Sequence, residues 1–548
     1  MKTSDRVSAD KLRGGFYTPP ALVRVCLERV SELVGDREGL VVLEPSSGDG
    51  AFIRGMSGHR LAAQVSAVTA IEIAGTEADK CRNQVPAAGF DLDVVTGSAL
   101  SQEVWRERRY DVAVGNPPFV RFQFVTPDDV AASAVLADHL GLSFAGVSNL
   151  WLPVLLAALS ALKDGGVFAF VVPAEFFTGI SASVARNWLT GHVRDLRVDL
   201  FPVGSFPSVM QEVVVVSGLR SPADARGLAQ LLLEEHRTAG ATRRWRHDLT
   251  RSAATWTGYL LKPAQLALLA EVRSLADVAP LGSFAKFEVA TVTGANEFFT
   301  VDQETLDAYE LRQWALPLLP RVRHAPGLRF TGADYEGLRK AGARAYLLDF
   351  SADRPHPAAQ RPLNYLRGGE NLGLPSRYKC RIRNPWYRVP VMPAGAMMLS
   401  KRSHRYPRVI LNEVNAYTTD TIYRGRMTKA CPVGAADLVA SFHNSLTLLT
   451  AEIEGRSFGG GVLELVPSEI SRLLVPVPGG FGAELDRLDA IARSIAASMN
   501  AGSDESLVDE TDRLLVKHVD GLDRTVIEQL SEARLFLHNR RMERNAPV

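Results

Sequence analysis

The stretch "RYDVAVGNPPFVRFQF" (109–124) runs an apolar segment directly into glycine, asparagine, two prolines and an aromatic. A near-continuous apolar run of this kind is the pattern of a strand covered on both faces. Proline has no N–H for the ladder and a fixed φ, so the strand must end at Asn116. A strand ending in polar and rigid residues carries them to the edge of its sheet.

The flanking sequence repeats the pattern. "GLVVLEP" (39–45), "VSAVTAIEI" (65–73), "DLDVVTG" (91–97), "GVFAFVVPA" (166–174), "VRDLRVDLF" (193–201) and "EVVVVSGL" (212–219) read as further strands. Helical patterns lie between them, among them "PPALVRVCLERVSELV" (19–34) and "LWLPVLLAALSALKDGG" (150–166). The second is predicted to stop at its glycine pair. Strand–helix alternation predicts an α/β, doubly wound, Rossmann-like domain over residues 1–245. An Arg-containing connector, "RTAGATRRWRHDLT" (237–250), is predicted helical. A mixed α+β domain with scattered strands and many prolines is expected over 246–478, and a helical region over 479–548.

Bulk properties bound the function. A chain of 548 residues exceeds one ordinary core. Its 46% hydrophobic and 22% charged content fits a soluble globular protein. With a net charge of +1, a nucleic-acid-binding chain must concentrate its cations locally. Cys26, Cys81, Cys380 and Cys431 form no CxxC pair, so neither a disulfide framework nor a metal site is expected. There is no apolar signal core in "MKTSDRVSADKLRGG" and no apolar run of membrane-spanning length. A cytoplasmic protein with no membrane partner is expected.

Two features flank the opening stretch. "VVLEPSSGDGAFI" (41–53) sets an acid and a glycine-bearing turn at the end of the first strand, where backbone can approach a ligand. It is neither GxGxxG nor a Walker sequence, which disfavours dinucleotide and ATP readings. Glu72 ends the next strand, placed to accept hydrogen bonds from two ribose hydroxyls.

"GFYTPP" (15–20), "VLEPSSGDGAF", "AIEI", "VVTGSAL", "VGNPPF" and "GGVFAFVVPAEFF" occur in an order that resembles S-adenosylmethionine-dependent N6-adenine DNA methyltransferases. The order is that of the gamma class from restriction–modification systems, with a target-recognition domain following the catalytic one. "VTGANEFF" (292–299), "RIRNPWYRVP" (381–390) and "EGRSFGGGVLELVPSE" (454–468) are similar to recognition-domain segments of such enzymes. The resemblance implies S-adenosyl-L-methionine as cofactor. Thr18, Glu44, Ser46, Gly48 and Gly50 would shape the methionine pocket, and Glu72 would take the ribose hydroxyls. Ser98 stands where such enzymes commonly carry an Asp toward the cofactor adenine. Asn116 would border both cofactor and target.

The resemblance also gives the loop its chemistry. An exocyclic amine is a poor nucleophile because its lone pair is delocalised into the ring. Two acceptors aimed at its N–H bonds localise that pair; the Asn116 side-chain carbonyl and the Pro117 backbone carbonyl are the candidates. Pro117 and Pro118 fix the loop, and Phe119 offers a stacking face for a flipped base. A second stacking aromatic is expected at Phe206, with Phe201 as the lesser choice. Related tetrapeptides serve enzymes that methylate glutamine amides or structured RNA, so an RNA methyltransferase is one alternative. A DNA-binding defence component with a non-catalytic methylase domain is another.

The C-terminal half decides between substrates. Residues 376–408 hold nine Lys/Arg and no acid, interleaved with aromatics. Arg377, Lys379, Arg381, Arg383, Trp386, Tyr387, Lys401 and Arg402, with Arg121 near the catalytic loop, are the expected contacts to double-stranded DNA. The expected form is a stand-alone monomeric methylase; a cognate restriction endonuclease, where one exists, would be a separate chain.

Overall fold

The computed structural model describes residues 17–83, 89–120, 124–144, 149–179, 182–202, 205, 212–221, 230–237, 242–249, 255–429, 431–458, 461–498 and 504–543. Two compact units divide the chain, with the boundary between Pro263 and Ala264. No helix among the described residues is long and apolar enough to cross a membrane.

The first unit is built on a nine-stranded sheet of order β3-β2-β1-β4-β5-β7-β6-β8-β9. Its strands are β1 (Leu40–Glu44), β2 (Val65–Glu72), β3 (Asp91–Thr96), β4 (Tyr110–Gly115), β5 (Leu162–Pro173), β6 (Val193–Leu200), β7 (Val213–Arg220), β8 (Gln230–His236) and β9 (Thr242–Asp248). β1 pairs in parallel with both β2 and β4, and β4 in parallel with β5. β7 runs antiparallel to both β5 and β6. Strand order reverses between β1 and β4, and a doubly wound sheet opens its ligand crevice at the carboxyl ends of strands flanking such a point.

Helix α1 (Pro20–Val34) begins with proline at a position that needs no N–H. Leu22, Val23, Cys26, Leu27, Val30 and Val34 fall on one face and are buried in a core with Val42, Val112 and Val167 of the sheet. Each such aliphatic side chain contributes roughly 1.5–3 kcal/mol when fully buried. Helix α2 (Ala51–Ser57) adds Phe52, Ile53 and Met56 to the same core.

The chain departs from its sequence pattern in two places. The helix predicted over 150–166 covers only Trp151–Ser160, and Gly165–Gly166 lie inside β5. Gly165, at φ +78°, lies in an irregularity where the β4–β5 register shifts, so the pair serves a bulge and not a helix stop. The connector predicted helical contains β9, paired antiparallel with β8 through Leu233–Trp245 and Leu231–His247. The alternation of Arg243, Trp245 and His247 has a strand's period of two, and His247 is buried.

The second unit carries a five-stranded sheet formed by Ala285–Glu288, Ile422–Met427, Met397–Ser400, Val409–Asn412 and Arg329–Phe330, in that order. Helices Ser445–Glu454 and Arg524–Glu543 pack together in this unit, locked by a buried Arg541–Glu452 ion pair at 2.6 Å. The C-terminal helices therefore share the second unit's contacts.

Candidate active site and nucleic-acid-facing surface

Glu44 closes β1 and Asn116 follows β4, so adjacent parallel strands deliver both to the carboxyl edge. The Ser46 hydroxyl donates to the Asn116 backbone carbonyl at 3.1 Å, tying the two strand ends together. Gly48 and Gly50 have φ of +52° and +84°, the left-handed region where a side chain is strained. A Cβ on Gly50 would also come within 3.1 Å of Cys81 Sγ. The turn they form lets the Gly48 N–H donate to Glu72 Oε2 at 2.9 Å. The Ala74 N–H donates to Glu72 Oε1 at 2.9 Å, so two backbone bonds fix the carboxylate. Each of its oxygens keeps lone-pair capacity for further donors.

Glu44 is almost fully buried, and its Oε2 has no hydrogen-bond partner among the described residues. Burial, with Asp49 and Glu72 nearby, pushes its carboxyl well above the usual carboxylate range. A buried acid with an unsatisfied oxygen, a glycine turn and a fixed second carboxylate fit a ligand carrying cationic and hydroxyl groups. S-adenosylmethionine has both.

Asn116 is held from two sides. Its Nδ2 donates to Thr18 Oγ1 at 3.2 Å, while Oδ1 is buried and partnerless among the described residues. Buried polar atoms are rarely left unpaired, and an orphan acceptor beside a ligand crevice marks a place for an incoming donor. The Pro118 carbonyl accepts from Val120 N–H at 3.0 Å, whereas no described donor reaches the Pro117 carbonyl. Pro117 is buried, Pro118 is half-buried, and Phe119 is half-buried against the sheet core.

Ser98 follows β3, beside Glu72 through a Gly97 N–H bond to the Glu72 carbonyl at 2.9 Å. Its hydroxyl donates to Asp129 Oδ1 at 2.8 Å, and Leu100 N–H donates to Ser98 Oγ at 3.3 Å. Asp129 lies outside every motif of the sequence. Its signal is the capping pattern Thr126-Pro-Asp-Asp129: Thr126 caps a helix over Pro127–His139 and donates to Asp129 Oδ2 at 2.9 Å. The fold returns that helix start to the β3 loop, and local spacing cannot show this.

Arg121 and Phe206 lie outside the described residues. Phe201 is buried in the sheet core with its ring stacked on His236 at 5.1 Å. Asp199, Glu234 and His236 form the one cluster among the described residues with metal-ligand spacing. Arg29 reaches Asp199 at 2.6 Å and Arg244 reaches Glu234 at 2.9 Å, with Arg197 also on Glu234. Three guanidiniums thus neutralise the carboxylates and join α1 to β6, β8 and β9. Despite burial, His236 and Arg29 hold the Asp199 carboxyl below its usual range.

The basic segment of the second unit divides sharply. Arg383 donates to the Thr293 and Val292 carbonyls at 2.7 and 2.8 Å. Trp386 and Tyr387 pack against a core containing Phe298, Phe299 and Phe350. Lys401 lies 3.9 Å from Glu464, which also pairs with Arg402. By contrast Arg377, Lys379 and Arg381 are exposed. None of these three pairs with a carboxylate among the described residues.

The sheet order, the acid-and-glycine turn and the amide–proline–proline loop beside it define a class I S-adenosylmethionine-dependent methyltransferase. Residues 78–199 match the family model of the Eco57I restriction-modification methylase, and residues 253–516 match that of the type II methyltransferase M.Eco57I C-terminal domain. The chain belongs to this restriction–modification methylase family. It is 21% identical over 480 residues to the type II methyltransferase M.AccI of Acinetobacter calcoaceticus, covering 83% of this chain and 84% of that one. It is 23% identical over 483 residues to the type II methyltransferase M.XamI of Xanthomonas campestris pv. amaranthicola, covering 84% and 85%. The fold is similar to that of the type IIL restriction-modification enzyme MmeI, solved in complex with DNA. The TM-score is 0.50 and the identity 14%, over 99% of this chain and 78% of that one. The chain spans 66% of the type IIG restriction endonuclease BpuSI, with 14% identity, 96% of this chain covered and a TM-score of 0.43.

Proposed function

We propose that this protein methylates the N6 amino group of adenine in double-stranded DNA at a specific sequence, acting on a base turned out of the helix. That reading is carried by the Asn116 Oδ1, buried and without a partner among the described residues, followed by a Pro117 carbonyl that no described donor reaches. Two rigid acceptors at that point suit an amine with two N–H bonds, and draw its nitrogen toward a tetrahedral geometry with a localised lone pair. S-adenosylmethionine, when bound, supplies an electrophilic methyl group on a positively charged sulfur. Glu44 and Glu72 would hold its cationic and ribose groups, with Ser46, Gly48 and Gly50 shaping the turn and Ser98 facing its base. Phe119 would stack on the target, since a base within a duplex cannot reach this edge.

Duplex DNA as substrate is supported by Arg377, Lys379 and Arg381, exposed cations free to meet phosphates. On this reading the chain acts as a monomer, and any cognate nuclease is a separate protein. Incubation with methyl-labelled cofactor and mixed-sequence duplex should yield labelled N6-methyladenine, and Asn116→Ala should abolish it; undiminished incorporation by that variant would sink the proposal.

A further inference from the structure

Leu372, Ile382 and Tyr378 are 71, 63 and 62% exposed, the three most exposed large apolar side chains among the described residues. All lie between positions 372 and 382. Single exposed apolar residues need no explanation, but three within one short segment mark an interaction surface. Arg377, Lys379 and Arg381 alternate with them. Lys379 Nζ and the Arg381 guanidinium each lie 5.5 Å from the Tyr378 ring centre.

The backbone beneath this face is held firmly. Residues Tyr378–Arg381 form one helical turn with Cys380 fully buried under it. Gly294 passes so close that a Cβ there would come within 2.7 Å of Lys379 Cβ. Arg383 anchors the turn's exit to the carbonyls of Val292 and Thr293 in the adjoining loop. An anchored underside and an exposed upper face make a pre-organised surface, where little ordering entropy remains to be lost on binding.

Its chemistry selects the partner. Three exposed cations, with no acid between positions 371 and 382, disfavour a second copy of the same segment and suit a polyanion. Isoleucine and leucine side chains cannot read the hydrogen-bonding edges of bases, so they add nothing to a direct code. They suit the faces of bases, which a duplex offers only where a step is opened; apolar wedges among Arg and Lys do this in DNA-bending proteins.

We infer that residues 372–382 form a wedge for duplex DNA. Arg377, Lys379 and Arg381 hold the phosphates, while Ile382 and Tyr378, flanked by Leu372, press into a base step and unstack it. This rests on DNA being the substrate, and it adds deformation of the duplex as a source of affinity and selectivity.

The test uses the full-length protein and a fluorescein-labelled, random-sequence 30-base-pair duplex, titrated at several salt concentrations. Lys379→Gln and Arg381→Gln should each reduce the slope of log affinity against log salt by about one. Ile382→Ser and Tyr378→Ala should weaken binding about five-fold or more at an unchanged slope, since base stacking is lost but no charge. Unaltered cofactor affinity and unfolding midpoint would show that the variants are folded. A wild-type protein that binds and methylates duplex DNA, with all four variants binding like it, would overturn the wedge and leave the proposed function standing. A wild-type protein that binds no duplex would overturn both. A concentration-dependent dimer abolished by Ile382→Asp would assign the face to a second copy and overturn the wedge.

Discussion

Asn116 and Thr18, 98 positions apart in the chain, meet in one hydrogen bond of 3.2 Å, with the Asn116 amide nitrogen as donor. An amide has two ends, and engaging the nitrogen leaves the oxygen to face the crevice. On the proposed reaction Thr18 would be a positioning residue for the Asn116 acceptor.

Thr18→Val keeps the shape and removes the acceptor. One hydrogen bond of about 1 kcal/mol is at stake, so kcat should fall roughly five- to ten-fold while KM for DNA changes little. Thr18→Ser should restore most of the rate. Steady-state kinetics on duplex substrate would show this; a loss confined to KM for cofactor would place Thr18 in binding alone.

Glu44 gives a pH signature. Burial raises its carboxyl above the usual range, so part of the free protein carries it protonated at pH values where an exposed glutamate is ionised. A cationic ligand favours the ionised form, so cofactor affinity should rise with pH as Glu44 ionises, and binding should release protons. Calorimetry in two buffers of different ionisation enthalpy should detect that release, and Glu44→Gln should remove it. Buffer-independent heats for the native protein would contradict the assignment.

Ser98 spends its only hydrogen on Asp129, which leaves its oxygen as an acceptor with one lone pair beyond that used by Leu100 N–H. An acceptor there suits an amino group on the cofactor's base. Ser98→Ala should weaken S-adenosylhomocysteine binding about three- to ten-fold, the worth of one hydrogen bond. The native protein should disfavour the analogue whose 6-amino group is replaced by oxygen, and Ser98→Ala should bind the two alike. Equal native affinity for both ligands would refute this.

His443, fully buried in the second unit, is pushed down to about 3 by burial, with Arg408 adding to the effect. The unfolded imidazole protonates near 6.5, so the stabilisation from keeping it neutral is complete above that pH. It is lost as pH falls from about 6.5 toward 3, by up to roughly 4 kcal/mol at the lower end. His443→Phe should unfold at a midpoint less dependent on pH across this window, as denaturant titrations at pH 7 and pH 5 would show. Equal sensitivity in both proteins would contradict it.

The seven strands read from apolar runs emerge within a few residues of their expected limits because doubly covered strands write their burial directly into the sequence. β9 did not, since an edge strand rich in arginine resembles a solvated helix until its partner is known. Glu44, Glu72, Ser98 and Asn116 were legible because each sits at or just after a strand end, where chemistry and punctuation coincide. Asp129 was not, for its meaning depends on a contact across 31 positions with Ser98. In the basic segment composition was visible but orientation was not. Trp386 and Tyr387 turn into a core and Arg383 into carbonyls, while Arg377, Lys379 and Arg381 turn outward.

The proposed methylation of an adenine amine in DNA has a direct readout in a cell. Expressing the protein in a host that lacks DNA methylation, then sequencing its genome with modification detection, tests this most directly. The expected result is N6-methyladenine confined to one sequence context, and none in cells carrying Asn116→Ala. Methylcytosine in its place, or an unmodified genome alongside newly methylated RNA, would contradict it.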